Sequence, residues 1–192
     1  MMILHDFGIG IEEYAANGKE NVFPVFDRCP DCQSIAQGNV HRNGYYWRYG
    51  IDEEEFYIPI CRFRCLICKV NISILPSFLI PYFQHTFDGM VGRLSSALKG
   101  EKVNGSRQQL KQHIKRFCER IHWIHTFFTD LGYKLGFTQE TKKEAQKYVT
   151  MIQDFGESTS FFRRSWGHLS SYFMGKLILP YLPMKKNYIN PT

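Results

Sequence analysis

Three short segments in the first half of the chain have the pattern of β-strands, two of them because their side chains alternate with a period of two and one because it is rich in aromatic residues. Aromatic side chains dominate the first segment, 45–49, which follows the turn-forming pair Asn43-Gly44. The second segment covers 56–64 and the third covers 70–74. The pattern predicts a turn at Asn43-Gly44 and a small antiparallel sheet of three strands.

From residue 84 onward, the apolar residues follow the spacing of amphipathic helices. Thr86 and Ser106 are typical N-cap residues for the first two of them. Helices are expected at about 87–98, 107–131, 139–155 and 159–179. Apolar residues of the longest helix recur at alternating intervals of four and three, which predicts a heptad seam. The seam consists of Leu110, Ile114, Phe117, Ile121, Ile124, Phe128 and Leu131.

The two patterns together predict an α+β protein, in which a small antiparallel four-cysteine zinc ribbon is followed by a four-helix α domain. We expect a lead-in over 1–28, the zinc ribbon and its linker over 29–83, the helical domain over 84–182 and a loose tail over 183–192. A short helix and a turn precede the Ser106-capped helix, so the helical domain is expected to resemble a helix-turn-helix.

Composition indicates a folded chain with a modest basic excess. The chain has 192 residues, 44% of them hydrophobic, and a formal net charge of +6, which is compatible with a polyanionic partner. Acidic residues interrupt the N-terminus before the apolar core of a signal peptide forms, and no run of about 18 apolar residues would span a membrane. We therefore expect a cytoplasmic protein with reduced cysteines and no membrane partner.

Two Cys-x-x-Cys motifs, Cys29/Cys32 and Cys65/Cys68, are separated by 32 residues. Paired motifs of this kind in a reducing compartment are typical of metal ligands, whereas the alternative is free cysteines in the core. Zn²⁺ favours a tetrahedron of four ligands, with thiolate sulfur at about 2.3 Å. The spacing predicts one structural Zn²⁺, because four thiolates leave no position for a catalytic water.

Other cysteines and histidines have more than one interpretation. Cys61 precedes the second motif by four residues and is either a substitute ligand or, as its place in the strand favours, a packed residue. His41 is a ligand, a phosphate contact or a plain surface residue of the hairpin. His122 and His125 lie three residues apart on one helix, where a metal site would need further ligands, so a helix interface is favoured.

The helix predicted at 107–131 carries a line of basic residues at intervals of four. Such a line either contacts DNA phosphates or forms the solvated face of a bundle helix. The connection over 100–105 is longer than the usual turn of a helix-turn-helix. The candidate DNA contacts are Arg107, Gln108, Lys111, Lys115, Arg116 and Arg120 on this helix, and Arg62, Arg64 and His41 in the zinc ribbon.

Catalytic patterns are not found in the sequence. The acidic run at 52–55 is one solvated loop, whereas a two-metal nuclease needs carboxylates on separate elements. Neither a glycine-rich phosphate loop nor a Gly-x-Ser-x-Gly motif is present. We therefore expect a protein that is not an enzyme.

The Arg-x-Arg-Cys-x-x-Cys pattern at 62–68 and the Leu-Pro-x-Phe-Leu-x-Pro-Tyr segment at 75–82 resemble the zinc-binding head of transposase-associated bacterial open reading frames. The Cys-Pro-x-Cys motif at 29–32 and the hairpin at 41–45 also match that family, which is largely a domain of unknown function. The likeness covers about 27–83 well and the helices loosely. It implies a DNA-binding or accessory module of a mobile element.

The sequence thus favours non-catalytic, zinc-dependent binding of double-stranded DNA by an accessory or DNA-recognition module of a mobile element. The alternative is a protein–protein adaptor whose exposed 110–131 seam binds a protein partner or a second copy in a homodimer. Affinity for DNA that falls with salt would distinguish the first function from the second.

Overall fold

A computed structural model describes residues 1–155 and the isolated positions 161, 164, 165 and 174. This part of the chain is a mixed α/β structure with one four-stranded sheet and five α-helices. The strands are β1 (Met2–His5), β2 (Val40–Ile51), β3 (Glu55–Cys65) and β4 (Asn71–Pro76). The helices are α1 (Ile11–Asn17), α2 (Phe87–Lys99), α3 (Arg107–Cys118), α4 (Ile121–Asp130) and α5 (Thr141–Gln153), with a 3₁₀ turn at Gly18–Glu20.

The sheet has the strand order β1-β4-β3-β2. The three predicted strands are present as β2, β3 and β4, and neighbours among them pair antiparallel. The prediction of three strands is wrong in number, because β1 pairs in parallel with β4 and places Met2 opposite Ser73. Residues 1–28 therefore belong partly to the sheet, and α1 in the same segment buries Ile11 and Tyr14 in the core.

The Asn43-Gly44 pair lies inside β2, so the predicted turn at this position is wrong. The pairing register with β3 shifts by one residue between Arg42 and Tyr45, which is the signature of a β-bulge. Gly44 has a φ of 77°, a left-handed conformation that glycine adopts without steric cost. The dipeptide therefore bends a long strand instead of joining two short ones.

The helix predicted at 107–131 is two helices, because α3 ends at Cys118 and α4 begins at Ile121. Arg120 between them has φ −105° and ψ 0°, away from helical values. The break lets both helices pack against α5. The prediction that the seam is an exposed surface is also wrong. Its members Phe117, Ile121, Ile124 and Phe128 are buried, and Leu110, Ile114 and Leu131 are partly buried.

The helices share one apolar core, and the caps predicted at Thr86 and Ser106 are confirmed. The Thr86 hydroxyl accepts a hydrogen bond from the backbone N–H of Gly89 at 3.0 Å, and Ser106 accepts one from Gln109 at 3.4 Å. Among the described residues, the largest fully buried side chains of this core are Phe87, Phe117, Phe127, Phe128, Tyr148 and Phe161.

Two predicted segments cannot be compared with the structure. The helix expected at 159–179 and the tail at 183–192 lie outside the described residues, apart from the isolated positions 161, 164, 165 and 174. Within the described part of the chain, no helix combines the length and the apolar character that crossing a bilayer requires.

Candidate metal centre

The four sulfur atoms of the two Cys-x-x-Cys motifs lie within 4.8 Å of one another. The Sγ atoms of Cys29 and Cys68 are 3.7 Å apart, and those of Cys32 and Cys65 are 3.8 Å apart. Four sulfurs at about 2.3 Å from a central Zn²⁺ form a tetrahedron whose edges are about 3.8 Å. These two separations between the motifs therefore fit tetrahedral coordination of one metal ion.

The two motifs repeat one backbone geometry. In each, the N–H of the first cysteine donates to the carbonyl oxygen five residues ahead. These bonds are Cys29 to Ser34 at 2.8 Å and Cys65 to Val70 at 3.1 Å. The residue after the second cysteine is left-handed in both motifs, with φ 60° at Gln33 and φ 63° at Lys69. Because residues other than glycine rarely adopt this backbone conformation, its occurrence at both equivalent positions indicates a tightly constrained turn.

Hydrogen bonds from the backbone favour the thiolate form of the first cysteine in each motif. The N–H groups of Cys68 and Ile67 donate to the Cys65 sulfur, and the resulting pKa of Cys65 is lowered to about 6. Burial raises the pKa of Cys29, although the N–H groups of Cys32 and Asp31 donate to its sulfur. A thiolate is the form that ligates a metal, so these donors favour coordination at Cys65, whereas at Cys29 they offset only part of the effect of burial.

Ser34 connects the two motifs. Its hydroxyl lies 3.1 Å from the Cys32 sulfur and 3.9 Å from the Cys65 sulfur. Hydrogen bonds from the side chain and the backbone N–H of Ser34 lower the pKa of Cys32. The second motif is also tied to the start of β2, because the Leu66 N–H donates to the carbonyl oxygen of Asn39, the residue before that strand, at 2.7 Å. The residues present therefore fit a structural metal held between a loop and the end of β3.

The remaining cysteines do not contribute a sulfur to this group. Cys61 is fully buried with Phe23, Ile72 and Ile74, which agrees with the packed interpretation of that residue. Cys118 packs against the edge of the helical core.

The histidines with open interpretations also have protein contacts. The Nε2 atom of His41 lies 2.9 Å from the carbonyl oxygen of Gly38. The His122 ring stacks on Phe137 with centroids 4.6 Å apart. The Nδ1 atom of His125 lies 2.5 Å from the Tyr148 hydroxyl. Within the described residues, none of the three histidines joins a group of potential metal ligands.

The predicted DNA contacts fall on two separate parts of the fold. Those on α3 are exposed side chains: Arg107, Gln108, Lys111, Lys115 and Arg116. Arg120, between α3 and α4, is partly buried. In the sheet, Arg64 is exposed opposite His41, whereas the Arg62 guanidinium lies over the Tyr46 ring at 5.9 Å. The structure thus places a continuous basic line on α3 and a smaller basic group near the metal site.

Sequence reasoning missed a pair of buried histidines between the sheet and α3. The rings of His85 and His113 are 5.6 Å apart in an edge-to-face arrangement, and both residues are at most 5% exposed. The sequence pattern could have indicated that His113 is buried, because it lies three residues after Leu110 and four before Phe117, on the inward side of the helix.

Comparisons with known proteins add no relative. No family model matches the chain, and neither a curated protein nor a solved structure is significantly similar to it. The resemblance of residues 27–83 to transposase-associated zinc-binding heads stays a prediction from the sequence.

Proposed function

We propose that the chain is a non-catalytic, zinc-stabilised protein that binds duplex DNA through α3. The observation that carries the proposal is the charge of that helix. Its exposed residues include Arg107, Lys111, Lys115 and Arg116, and no Asp or Glu occurs between Arg107 and Cys118. A surface with one sign of charge attracts a polyanion such as the DNA backbone.

The geometry of α3 supports contact along a phosphate backbone. Arg107, Lys111 and Lys115 are four residues apart, so they form a line about 12 Å long on one side of the helix. The residues of α3 that are fully buried, His113 and Phe117, face the core and leave this line accessible. Gln108, in the first turn, adds an uncharged donor and acceptor that suits a base edge.

The four-cysteine site supports the same function through stability. When bound, Zn²⁺ supplies a cross-link between the loop that carries Cys29 and Cys32 and the strands that flank Cys65 and Cys68. Four thiolate ligands fill a tetrahedron, so the site is suited to holding the fold and not to activating water. The assignment to a mobile element rests on the sequence resemblance of residues 27–83.

The proposal can be tested by fluorescence anisotropy of zinc-loaded protein with a labelled random duplex across a salt series. The double variant Lys111→Ala/Lys115→Ala is expected to bind more weakly, and the slope of log affinity against log salt should decrease by about 2. The matched control is Lys134→Ala/Lys142→Ala, which removes the same charge from exposed positions outside α3.

Equal losses in the two double variants would show that net charge and not α3 determines binding. Flat, salt-independent binding by the unmodified protein would exclude the proposal altogether. The adaptor alternative is less favoured, because the residues of the 110–131 seam are partly or fully buried.

A further inference from the structure

One face of the β2–β3 pair carries a set of exposed aromatic rings. Trp47, Tyr49 and Tyr57 are 41%, 47% and 55% exposed. The Trp47 and Tyr57 rings are stacked, with centroids 5.3 Å apart and planes 19° apart, and the Tyr49 ring lies 5.1 Å from Tyr57. We call these three residues the aromatic ladder. A contiguous exposed aromatic patch of this kind marks an interaction surface.

Positive charge lies beside the aromatic ladder on the same face. Arg42, Tyr45, Trp47 and Tyr49 pair with every second residue of β3, so all four project from one side of the sheet. The Lys19 ammonium and the Arg42 guanidinium each lie 5.8 Å from the centre of the Tyr45 ring. Tyr45 is therefore flanked by two cations, next to the ladder.

A groove continues this surface toward the metal site. It has a volume of about 340 Å³, and its walls include the rings of Phe23, Phe26 and Phe63. Arg42 and His41 also line it. The Phe26 and Phe63 rings meet edge to face at 5.3 Å, which fixes an apolar wall beside the Arg42 side chain. The groove thus combines flat apolar walls with a cation at one margin.

We propose that this face binds single-stranded nucleic acid, with bases against the aromatic ladder and in the groove and with phosphates beside Lys19 and Arg42. Every base has a π-face, so stacking on aromatic rings requires no particular sequence. An acidic peptide would use the two cations but not the ladder, and for this reason the observations favour nucleic acid.

The surface has a defined length. From Arg42 to Tyr49, β2 spans roughly 20 Å, which accommodates a few nucleotides. The exposed carboxylate of Glu55, opposite Ile51, would repel a phosphate and limits the site at that end. The proposal is independent of duplex binding by α3, because the two surfaces lie on different elements.

The test is anisotropy of a fluorescein-labelled eight-nucleotide oligothymidine with the zinc-loaded full chain. Trp47→Ala is expected to weaken binding by about 5- to 100-fold, whereas Trp47→Phe, which keeps a ring, should retain most of it. Lys134→Ala/Lys142→Ala, which removes two exposed charges outside both proposed surfaces, should leave this affinity unchanged. The control variant is Tyr133→Ala, which removes an aromatic ring that is 46% exposed outside this face. Circular dichroism and zinc content verify that each variant is folded.

Three results would overturn the proposal. The first is an oligothymidine affinity that is the same in Trp47→Ala as in the unmodified protein. The second is displacement of the oligonucleotide by octaglutamate as readily as by unlabelled oligothymidine, which would indicate charge alone. The third is a dimer that Trp47→Ala converts to a monomer, since a second copy would then occupy the ladder.

Discussion

Protonation of His113 is expected to loosen α3, because this histidine is one of the side chains that hold the helix in the core. It is 5% exposed, and its Nδ1 atom has no hydrogen-bond partner among the described residues. Burial is the main cause that lowers the pKa of His113 from 6.5 to about 4, with smaller contributions from the charges of His85, Arg93 and Arg116. A proton added at this position therefore meets a dry and already cationic environment.

The magnitude follows from the difference between the folded and unfolded pKa values. The folded pKa of His113 is the lower one, so the unfolded chain binds more protons between about pH 6.5 and pH 4. Stability is thus fully present above pH 6.5 and is lost as the pH falls through this window. The full change in the pKa of His113 corresponds to about 3 kcal/mol in the free energy of unfolding, of which about 1 kcal/mol is lost by pH 5.5. Burial also lowers the pKa of His85, which acts in the same direction.

The assay is urea unfolding of zinc-loaded protein at pH 7.5, 6.5 and 5.5, for the unmodified chain and for His113→Gln. Protonation of the cysteines affects both proteins, so the difference between their pH profiles isolates the histidine. We expect the variant to be less stable at pH 7.5 but to lose about 1 kcal/mol less on acidification to pH 5.5. Parallel profiles, or a His113 imidazole that titrates near pH 6.5 by NMR, would refute this reasoning.

Three further predictions concern the metal site, a helix contact and the core. Cys65→Ser should lose the metal and with it the stabilisation that zinc binding provides, which is on the order of 10 kcal/mol in small zinc modules. Zinc content and thermal melting measure the two losses. Gly89→Ala should destabilise the protein by about 1–3 kcal/mol, because a Cβ at this position would lie 2.9 Å from the carboxylate and 3.1 Å from the Cα of Asp52. Gly92→Ala, with no atom within 4 Å, should instead stabilise by about 0.5–1 kcal/mol in urea unfolding. Phe128→Ala should lower the free energy of unfolding by about 3–5 kcal/mol without changing the mass of the protein in solution. If the unmodified protein is instead a dimer and this variant a monomer, the 110–131 seam is an interface between copies.

The parts of the fold that sequence could predict are those set by local patterns. Aromatic content located β2, and alternation located β3 and β4. The N-cap residues Thr86 and Ser106 located the starts of α2 and α3. The cysteine spacing predicted the one group of ligands that the described residues bring together. Each of these features depends on residues within a few positions of one another, or on a side chain with few chemical roles.

The parts that could not be predicted depend on distant contacts. β1 is a strand of four residues that forms only because β4, about 70 residues later, offers it a parallel edge. The Asn43-Gly44 pair has the same local preference for a turn and for a bulge, and the pairing with β3 decides between them. No glycine or proline marks the break at Arg120, and the apolar spacing continues across it because both helices face one core.

X-ray absorption at the zinc edge, combined with metal analysis of the purified chain, tests the central claim most directly. The account predicts one zinc per chain with a shell of four sulfur atoms at about 2.3 Å, because the four sulfur atoms lie within 4.8 Å of one another and two pairs are already 3.7 and 3.8 Å apart. A shell that contains nitrogen or oxygen, or a zinc content well below one per chain in protein that is fully folded, would contradict it.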